Sequence, residues 1–381
     1  RNAGNDTAYS YLRDNMNQNL VRDRNITSQA MAECVVFIDG EFWGFYTLTE
    51  KIGDSYIKSH YGIKKKDVVI IKNAEVEEGT DDDWREWNDT IAKYARADMT
   101  ADENYSAFCA DFDVDSVAEY FSMQIYWCNS DWPWNNVAVW KSRTIDSENS
   151  YADGRWRMLL FDTDFSAGLF QNNETTFRAD GFSRVKNYKD SLSRTFFQLM
   201  RNSDFKERFY TVFMDMANGN FSSERTDRML ENYVEAYRTP IIDTLERFYA
   251  GSFVYRDGTS RFDTECGVIR DFYRNRFGFA VDDLKNHIGL SGSLKKINIQ
   301  CNAWQGRVEI NTLKPDFSSG SWKGQYFSDY EITLKAIPEK NYKFVRWEVI
   351  GATADKNLLE RAELKIKPEN DIYIRAVYDK K

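Results

Sequence analysis

Near residue 293 the apolar pattern changes its period, and that change limits what the chain can fold into. From about Asp190 to Leu290 apolar residues recur every three to four positions, as in "SRTFFQLMRNSDFKERFYTVFMDMANG" and "SSERTDRMLENYVEAYRTPIIDTLERFYAG". That is the spacing of one helix face. Caps at Ser203/Asp204 and Ser222/Ser223 and stops at Gly219 and Gly251 predict the helix ends. Beyond "GLSGSLKK" the pattern alternates instead: "GRVEINT", "YEITLKAIP", "YKFVRWEVIG", "RAELKIKP" and "DIYIRAVYD" read as short strands between turn residues. The spacing predicts a boundary at 292/293, with an α+β domain over 1–292 and a small, β-sandwich-like all-β module over 293–381.

The 381 residues are 42% hydrophobic, enough for two separate cores. The net charge of −9 and a pI near 5.1 exclude a nucleic-acid binder that works through a basic face. No apolar run approaches the ~20 residues of a membrane span. The chain opens at Arg1 without an initiator methionine, which predicts an upstream segment. Five cysteines lie scattered without a CxxC pair, and there are two histidines, so a zinc site is not expected. Disulfides are permitted but not demanded, and an odd count leaves at least one thiol free. An aromatic content of 15% favours large aromatic cores over a carbohydrate-binding surface.

Ahead of residue 190 the reading alternates. Thr7–Leu20 predicts a helix capped by Asp6 or Thr7. "AECVVFIDGEFWGFYTLTEKI" predicts a β-hairpin turning at Asp39-Gly40. "GDSYIKSHYG" suits a short helix, and "KDVVIIKN" a buried strand ending at Lys72 and Asn73. "EVEEGTDDDWREWND" reads as an acidic, solvated excursion. Asp113 or Asp115 caps a helix that runs to about Cys128.

That helix delivers "CNSDWPWNNVAVWKS", in which a carboxylate, three amides, two indoles and a proline crowd into a few residues. "GRWRMLLFDTDFSAG" follows, an apolar strand that delivers Asp162 and Asp164. The strands "NVAVW" and "RWRMLLF" predict an antiparallel pair, which would bring Asp162 beside Asn136. An aspartate, an asparagine five residues on and a strand-end aspartate are what phosphoryl transfer uses. One carboxylate takes the hydroxyl proton, while an amide oxygen and a second carboxylate hold Mg²⁺ on the phosphates. Such catalysis rests on positioning and charge neutralisation, so a shortage of histidine does not oppose it. Two plainer readings stand beside this one. Asp131 could pair an arginine within an Asx-capped turn, and Asp162 with Asp164, alternating on one strand face, could hold structural Ca²⁺.

"FIDGEFWGFYTLTEKI", "NSDWPWNN" and "RWRMLLFDTDFSAG", in that order, resemble the CotH kinase family of atypical, secreted or surface-associated protein kinases. The resemblance covers roughly residues 1–290. It implies a distant protein-kinase-like fold that binds ATP and Mg²⁺ and phosphorylates serine on protein substrates. On that resemblance Asp131 is the catalytic aspartate, Asn136 the metal-binding amide (with Asn135 a less suited substitute), and Asp162 the metal-binding aspartate. Asp164 is the second acid of that motif. Glu50, Lys51 and Lys72 match front-lobe positions expected to contact the nucleotide. No G-x-G-x-x-G loop is present, and Gly40 and Gly44 are poor substitutes for one. Phe165-Ser166-Ala167-Gly168 loosens the Asp-Phe-Gly pattern, and "RNAGND" begins inside the family's upstream motif, implying a strand before Arg1.

The tail resembles modules of the internalin B-repeat kind, which implies an exported, bacterial secreted or cell-surface protein. Two function classes follow. One is an ATP·Mg-dependent protein serine kinase. The other is a non-catalytic surface protein that binds glycan or protein, with Trp132, Trp134, Trp304 and Trp322 as stacking candidates.

Overall fold

Both faces of the central strands are apolar, and they become the middle of a sheet covered on both sides. The computed structural model describes residues 3–252, 256–353 and 355–381. By its contacts the chain forms two units, Arg1–Phe209 with Ser223–Asp283, and Tyr210–Ser222 with Leu284–Lys381.

The first unit opens with α1 (Arg13–Leu20), then the hairpin of β1 (Met31–Ile38) and β2 (Glu41–Thr49). Asp39 (φ 51) and Gly40 (φ 82) make the left-handed turn that a two-residue hairpin needs. Next come α2 (Asp54–Tyr61), β3 (Val68–Lys72), β4 (Glu75–Glu78), α3 (Asp81–Tyr94), α4 (Asp102–Asp111) and α5 (Val114–Tyr126). After these lie β5 (Ala138–Ser142) and β6 (Arg157–Leu159). Helices follow: α6 (Gly181–Tyr188), α7 (Ser191–Leu199), α8 (Ser203–Asn218), which is counted with the second unit from Tyr210, α9 (Ser223–Tyr249), and α10 (Gly258–Ile288), which is counted with the second unit from Leu284.

One antiparallel sheet runs β4-β3-β5-β6. Its register pairs Lys72 with Ala138 and Ala138 with Leu159, so the ends of three strands meet at one edge. Ile57, Val68, Ile70, Trp140, Leu159 and Phe161 form the core on one face. Helices α3 and α5 pack on β3 and β6. Every residue of β5 and β6 is buried, as strands covered on both sides require.

Two expectations change here. The helix expected from Thr7 begins at Arg13, because the Asp6 carboxylate accepts from the main-chain N–H groups of Ser10, Leu12 and Arg13 and folds the chain around itself first. The acidic stretch is not a solvated excursion. Thr80 and Asp83 form a reciprocal capping box that starts α3, and Trp87, Ile91 and Tyr94 bury its inner face. Each such burial is worth roughly 1.5–3 kcal/mol, which outweighs the acidic composition of the outer face.

The second unit holds β7 (Leu294–Gln300), β8 (Gly306–Ile310), β9 (Ser321–Phe327), β10 (Ile332–Pro338), β11 (Tyr342–Ile350), β12 (Glu363–Ile366) and β13 (Ile372–Lys380). They form two sheets, β12-β10-β8 and β11-β13-β7-β9, the pair β13/β7 being parallel. Alternate residues face inward, among them Val308, Ile310 and Leu334 in one sheet and Ile297, Ile299, Trp347 and Ile374 in the other. Tyr378 Oη donates to the Arg307 carbonyl across the two. Residues 210–222 belong with these strands for a polar reason. The Asn218 amide exchanges two 2.8 Å hydrogen bonds with the Gln325 main chain. Buried Asp215 accepts from Asn311, from the Thr312 N–H and hydroxyl, and from Tyr326 Oη. All five cysteines are free thiols. Among the described residues no helix is long and apolar enough to cross a membrane.

The β5–β6 connection is clamped by Asp153, which accepts from Arg157 and Arg155. Burial alone would raise the Asp153 carboxyl, but these hydrogen bonds outweigh it and hold the group at about 2. A depressed carboxylate stabilises the fold above its unfolded value of ~3.9 and loses that contribution as pH falls through the folded value. The thermal midpoint of wild type should therefore exceed that of Asp153→Asn at pH 6, with the gap closing toward pH 2. A gap that does not change with pH would count against the clamp.

Candidate functional site

Helix α5 aims the loop that follows it. Asp113 caps its start by accepting from the Ser116 N–H, and buried Tyr120 and Phe121 on its inner face meet the Trp132 ring edge-on at 5.8 and 5.3 Å. At the far end Cys128 takes a left-handed φ of 53° and turns the chain. Asn129 then bridges back. Its Nδ2 donates to Gln124 Oε1 at 2.8 Å and its Oδ1 accepts the Asp131 N–H at 3.1 Å.

Asp131 is thereby fixed, half-buried, at the edge where β3, β5 and β6 end. Its Oδ2 accepts Asn135 Nδ2 at 3.1 Å and Asn136 Nδ2 at 3.0 Å. Its Oδ1 takes no hydrogen bond among the described residues, and Asp131 pairs no arginine there, which removes the plain Asp–Arg reading. Asn136 Nδ2 also reaches the Asp162 carbonyl at 3.3 Å. One amide group thus ties Asp131 to the segment that carries Asp162. With Nδ2 donating twice, Asn136 Oδ1 is the oxygen left for a ligand.

Asp162 is not on a strand. Strand β6 ends at Leu159, and Asp162 sits two residues past Leu160 with a left-handed φ of 53°. The expected alternation of Asp162 and Asp164 on one strand face therefore does not occur. Asp164 is fully buried and accepts from the Asn5 N–H at 2.7 Å and from Asn5 Nδ2 at 3.4 Å. Among the described residues no group of three His, Cys, Asp or Glu side chains has metal-binding spacing, so an all-protein Ca²⁺ cage finds no support.

Lys72 ends β3 at the same edge. Its ammonium lies 4.7 Å from the centroid of the Phe161 ring, one residue before Asp162. The next residue, Asn73, exchanges hydrogen bonds with the Val137 main chain, locking β3 to the residue after Asn136. Glu50 is engaged elsewhere. Its carboxylate accepts the Ala30 N–H at 2.9 Å and pairs with His60 at 2.8 Å. Lys51 is solvent-exposed. Trp132 is buried and so is no stacking surface for a glycan, whereas Trp134 is 47% exposed beside Tyr188 and Arg184.

Two supports were not foreseen. Arg184 donates to the Ser130 carbonyl at 3.2 Å and pairs with Glu174 at 2.8 Å, while Glu174 accepts the Ser130 hydroxyl at 3.1 Å. The Arg184 guanidinium holds the Glu174 carboxyl below its ordinary value. The second support is α1 itself. Asp14 Oδ1 accepts from the Thr163 N–H and hydroxyl, and Asn17 Nδ2 donates to the Thr163 carbonyl and to Ser166 Oγ. Arg13 donates to the Ala167 carbonyl and pairs with Asp6 and Glu265, all three side chains essentially without exposure. Burial would lower the Arg13 guanidinium, but the two carboxylates raise it. The available signal was α1's composition: in "RDNMNQNL" only Met16 and Leu20 are apolar, and the buried Arg13, Asp14, Asn15, Asn17 and Gln18 need polar partners.

A family model described as CotH kinase protein matches residues 1–279. No curated protein matches the chain. The chain belongs to the CotH kinase family.

Replacing Arg13 by Met should destabilise the first unit by about 3–5 kcal/mol, because two buried carboxylates lose their cation. Urea unfolding checks this; a loss below about 1 kcal/mol would mean that the cluster does not hold the Asp162 segment.

Proposed function

We propose that this member of the CotH kinase family is an ATP- and Mg²⁺-dependent kinase that phosphorylates serine in protein substrates. The observation that carries the reading is the Asn136 amide, which gathers the Asp131 carboxylate and the Asp162 segment at one strand edge. Hard oxygens of Asn136 and Asp162 suit Mg²⁺, which takes one or two protein carboxylates and fills its other positions with water and phosphate. When bound, Mg·ATP supplies a phosphoryl group whose charge is already partly neutralised.

The chain's own residues do the rest. Asp131 accepts the serine proton through Oδ1, the oxygen not used by Asn135 and Asn136. Asn136 Oδ1 and the Asp162 carboxylate would hold the metal. Lys72, poised over Phe161, offers its ammonium to the phosphates. Asp164, bound by Asn5, steadies the Asp162 segment and assists the metal through it. Glu50 acts through the β2 terminus that it fixes to Ala30, and exposed Lys51 is left for the nucleotide. The tail's likeness to surface modules supports a secreted or cell-surface protein.

Thermal-shift titration and γ-phosphate transfer to a serine-rich acceptor separate binding from turnover. Asp162→Ala should abolish Mg²⁺-dependent ATP binding. Asp131→Asn should bind ATP nearly as wild type and transfer phosphate about 10²–10⁴-fold more slowly. Wild type that binds no ATP with any divalent metal would end the kinase reading, and full-speed transfer by Asp131→Asn would show that the base is another group.

A further inference from the structure

We propose that the second unit binds a β-1,4-linked chain of neutral hexopyranose units in a cleft built around Trp304. The cleft encloses about 510 Å³, within the range of small-molecule sites. Trp304 lines it with 87% of its surface exposed, the most exposed of the large hydrophobic side chains described. An indole is the largest apolar surface a side chain has, and leaving it in water forfeits its burial. Other turn residues would close this loop without that cost.

The indole stands on a rigid support. The Trp304 N–H donates to Asn302 Oδ1 at 3.1 Å, and the Asn302 carbonyl accepts the N–H groups of Gln305 and Gly306. The Gln305 carbonyl accepts the Glu339 N–H, and the Gly320 carbonyl the Cys301 N–H. These bonds fix the backbone that carries the indole, so the loop itself need not be ordered on binding.

The remaining wall mixes apolar Ala303, Phe317, Ala376 and Val377 with polar groups and is almost uncharged. Gln300, Asn302 and Gln305 supply amides and Ser318 a hydroxyl. Gln300 and Arg375 are register partners on β7 and β13, so an amide and a guanidinium stand side by side on the sheet. Arg375 is the one charged lining residue, and Glu348 lies 3.7 Å from it. An amide offers a donor and an acceptor together, which matches adjacent sugar hydroxyls that each do both.

Ring substituents decide the sugar class. A hexopyranose with all substituents equatorial presents an unbroken face of axial C–H bonds, which packs flat on an indole. β-1,4 linkage keeps successive rings extended and repeats that face along the chain. A nucleic-acid strand could also stack on Trp304, but its phosphates need a cationic track. One partly paired guanidinium in a chain of net charge −9 does not provide one.

The full chain is titrated by calorimetry and tryptophan fluorescence with cellohexaose and the β-1,4-linked N-acetylglucosamine hexamer, and with α-linked maltohexaose for contrast. At least one β-linked hexamer should bind saturably, and maltohexaose at least about tenfold more weakly. Trp304→Ala should weaken binding at least about tenfold and Trp304→Phe by less. The thermal midpoints should be unchanged, because the ring packs on little. The proposal is overturned if neither β-linked hexamer binds at millimolar concentration, if Trp304→Ala binds as wild type, or if maltohexaose binds equally well. A thymidine oligonucleotide that needs Trp304, or self-association abolished by Trp304→Ala, would overturn it as well. ATP and Mg²⁺ are absent throughout, so the outcome is independent of the kinase reading.

Discussion

The side-chain amide of Asn136 donates in two directions, to a carboxylate on its own loop and to a carbonyl on a segment 26 residues away. Everything else around the site keeps those two partners within its reach. The sheet register places Ala138 opposite both Lys72 and Leu159, which sets the segments at one edge. The α5 helix and the buried Trp132 ring fix the height of the Asp131 loop. An aspartate in place of Asn136 would set two carboxylates against each other and lose both hydrogen bonds.

The backbone carries visible strain for this arrangement. Cys128, Asn136, Asp162 and Ala167 all adopt left-handed φ values between 46° and 57° without being glycine. Such positions cost of order 1–3 kcal/mol, least for Asn and Asp, and persist only where surrounding contacts over-determine them. Those contacts are polar and buried. Asp14 and Asn17 grip Thr163 and Ser166, Arg13 reaches Ala167, and the Trp127 carbonyl accepts the Ala167 N–H. A buried polar network of this kind specifies one arrangement, because any other leaves charges unpaired.

What could be read in the sequence was what depends on neighbours in sequence. The Asp39-Gly40 turn, the Asp113 cap and the β5/β6 pairing all follow from short-range patterns and are seen as read. The acidic stretch misled because charge was given more weight than spacing. Thr80 and Asp83 three apart, then Trp87, Ile91 and Tyr94 at four and three, spell an amphipathic helix. Strands β7 and β9 are not among the strands read from the sequence, because the paired lysines of "LKKINIQ" and the glycine of "SWKGQYF" interrupt the alternation. The roles of Arg13, Asp14 and Asn17 were not legible, since Thr163, Ser166, Ala167 and Glu265 lie 146 to 252 residues away. The same holds for residues 210–222, whose place with the β-strands rests on Asn218 and Asp215 finding partners near residue 320.

The account turns on whether the Asn136-linked edge is where metal and phosphates sit. The direct measurement is a crystal structure of the full chain with a non-hydrolysable ATP analogue and Mn²⁺ in place of Mg²⁺, the metal located by its anomalous signal. The account predicts a metal at ~2 Å from an Asp162 carboxylate oxygen and from Asn136 Oδ1, bridged by phosphate oxygens. It also predicts Asp131 Oδ1 open toward the terminal phosphate. Metal and nucleotide bound elsewhere, with Asp162 and Asn136 free of both, would contradict it.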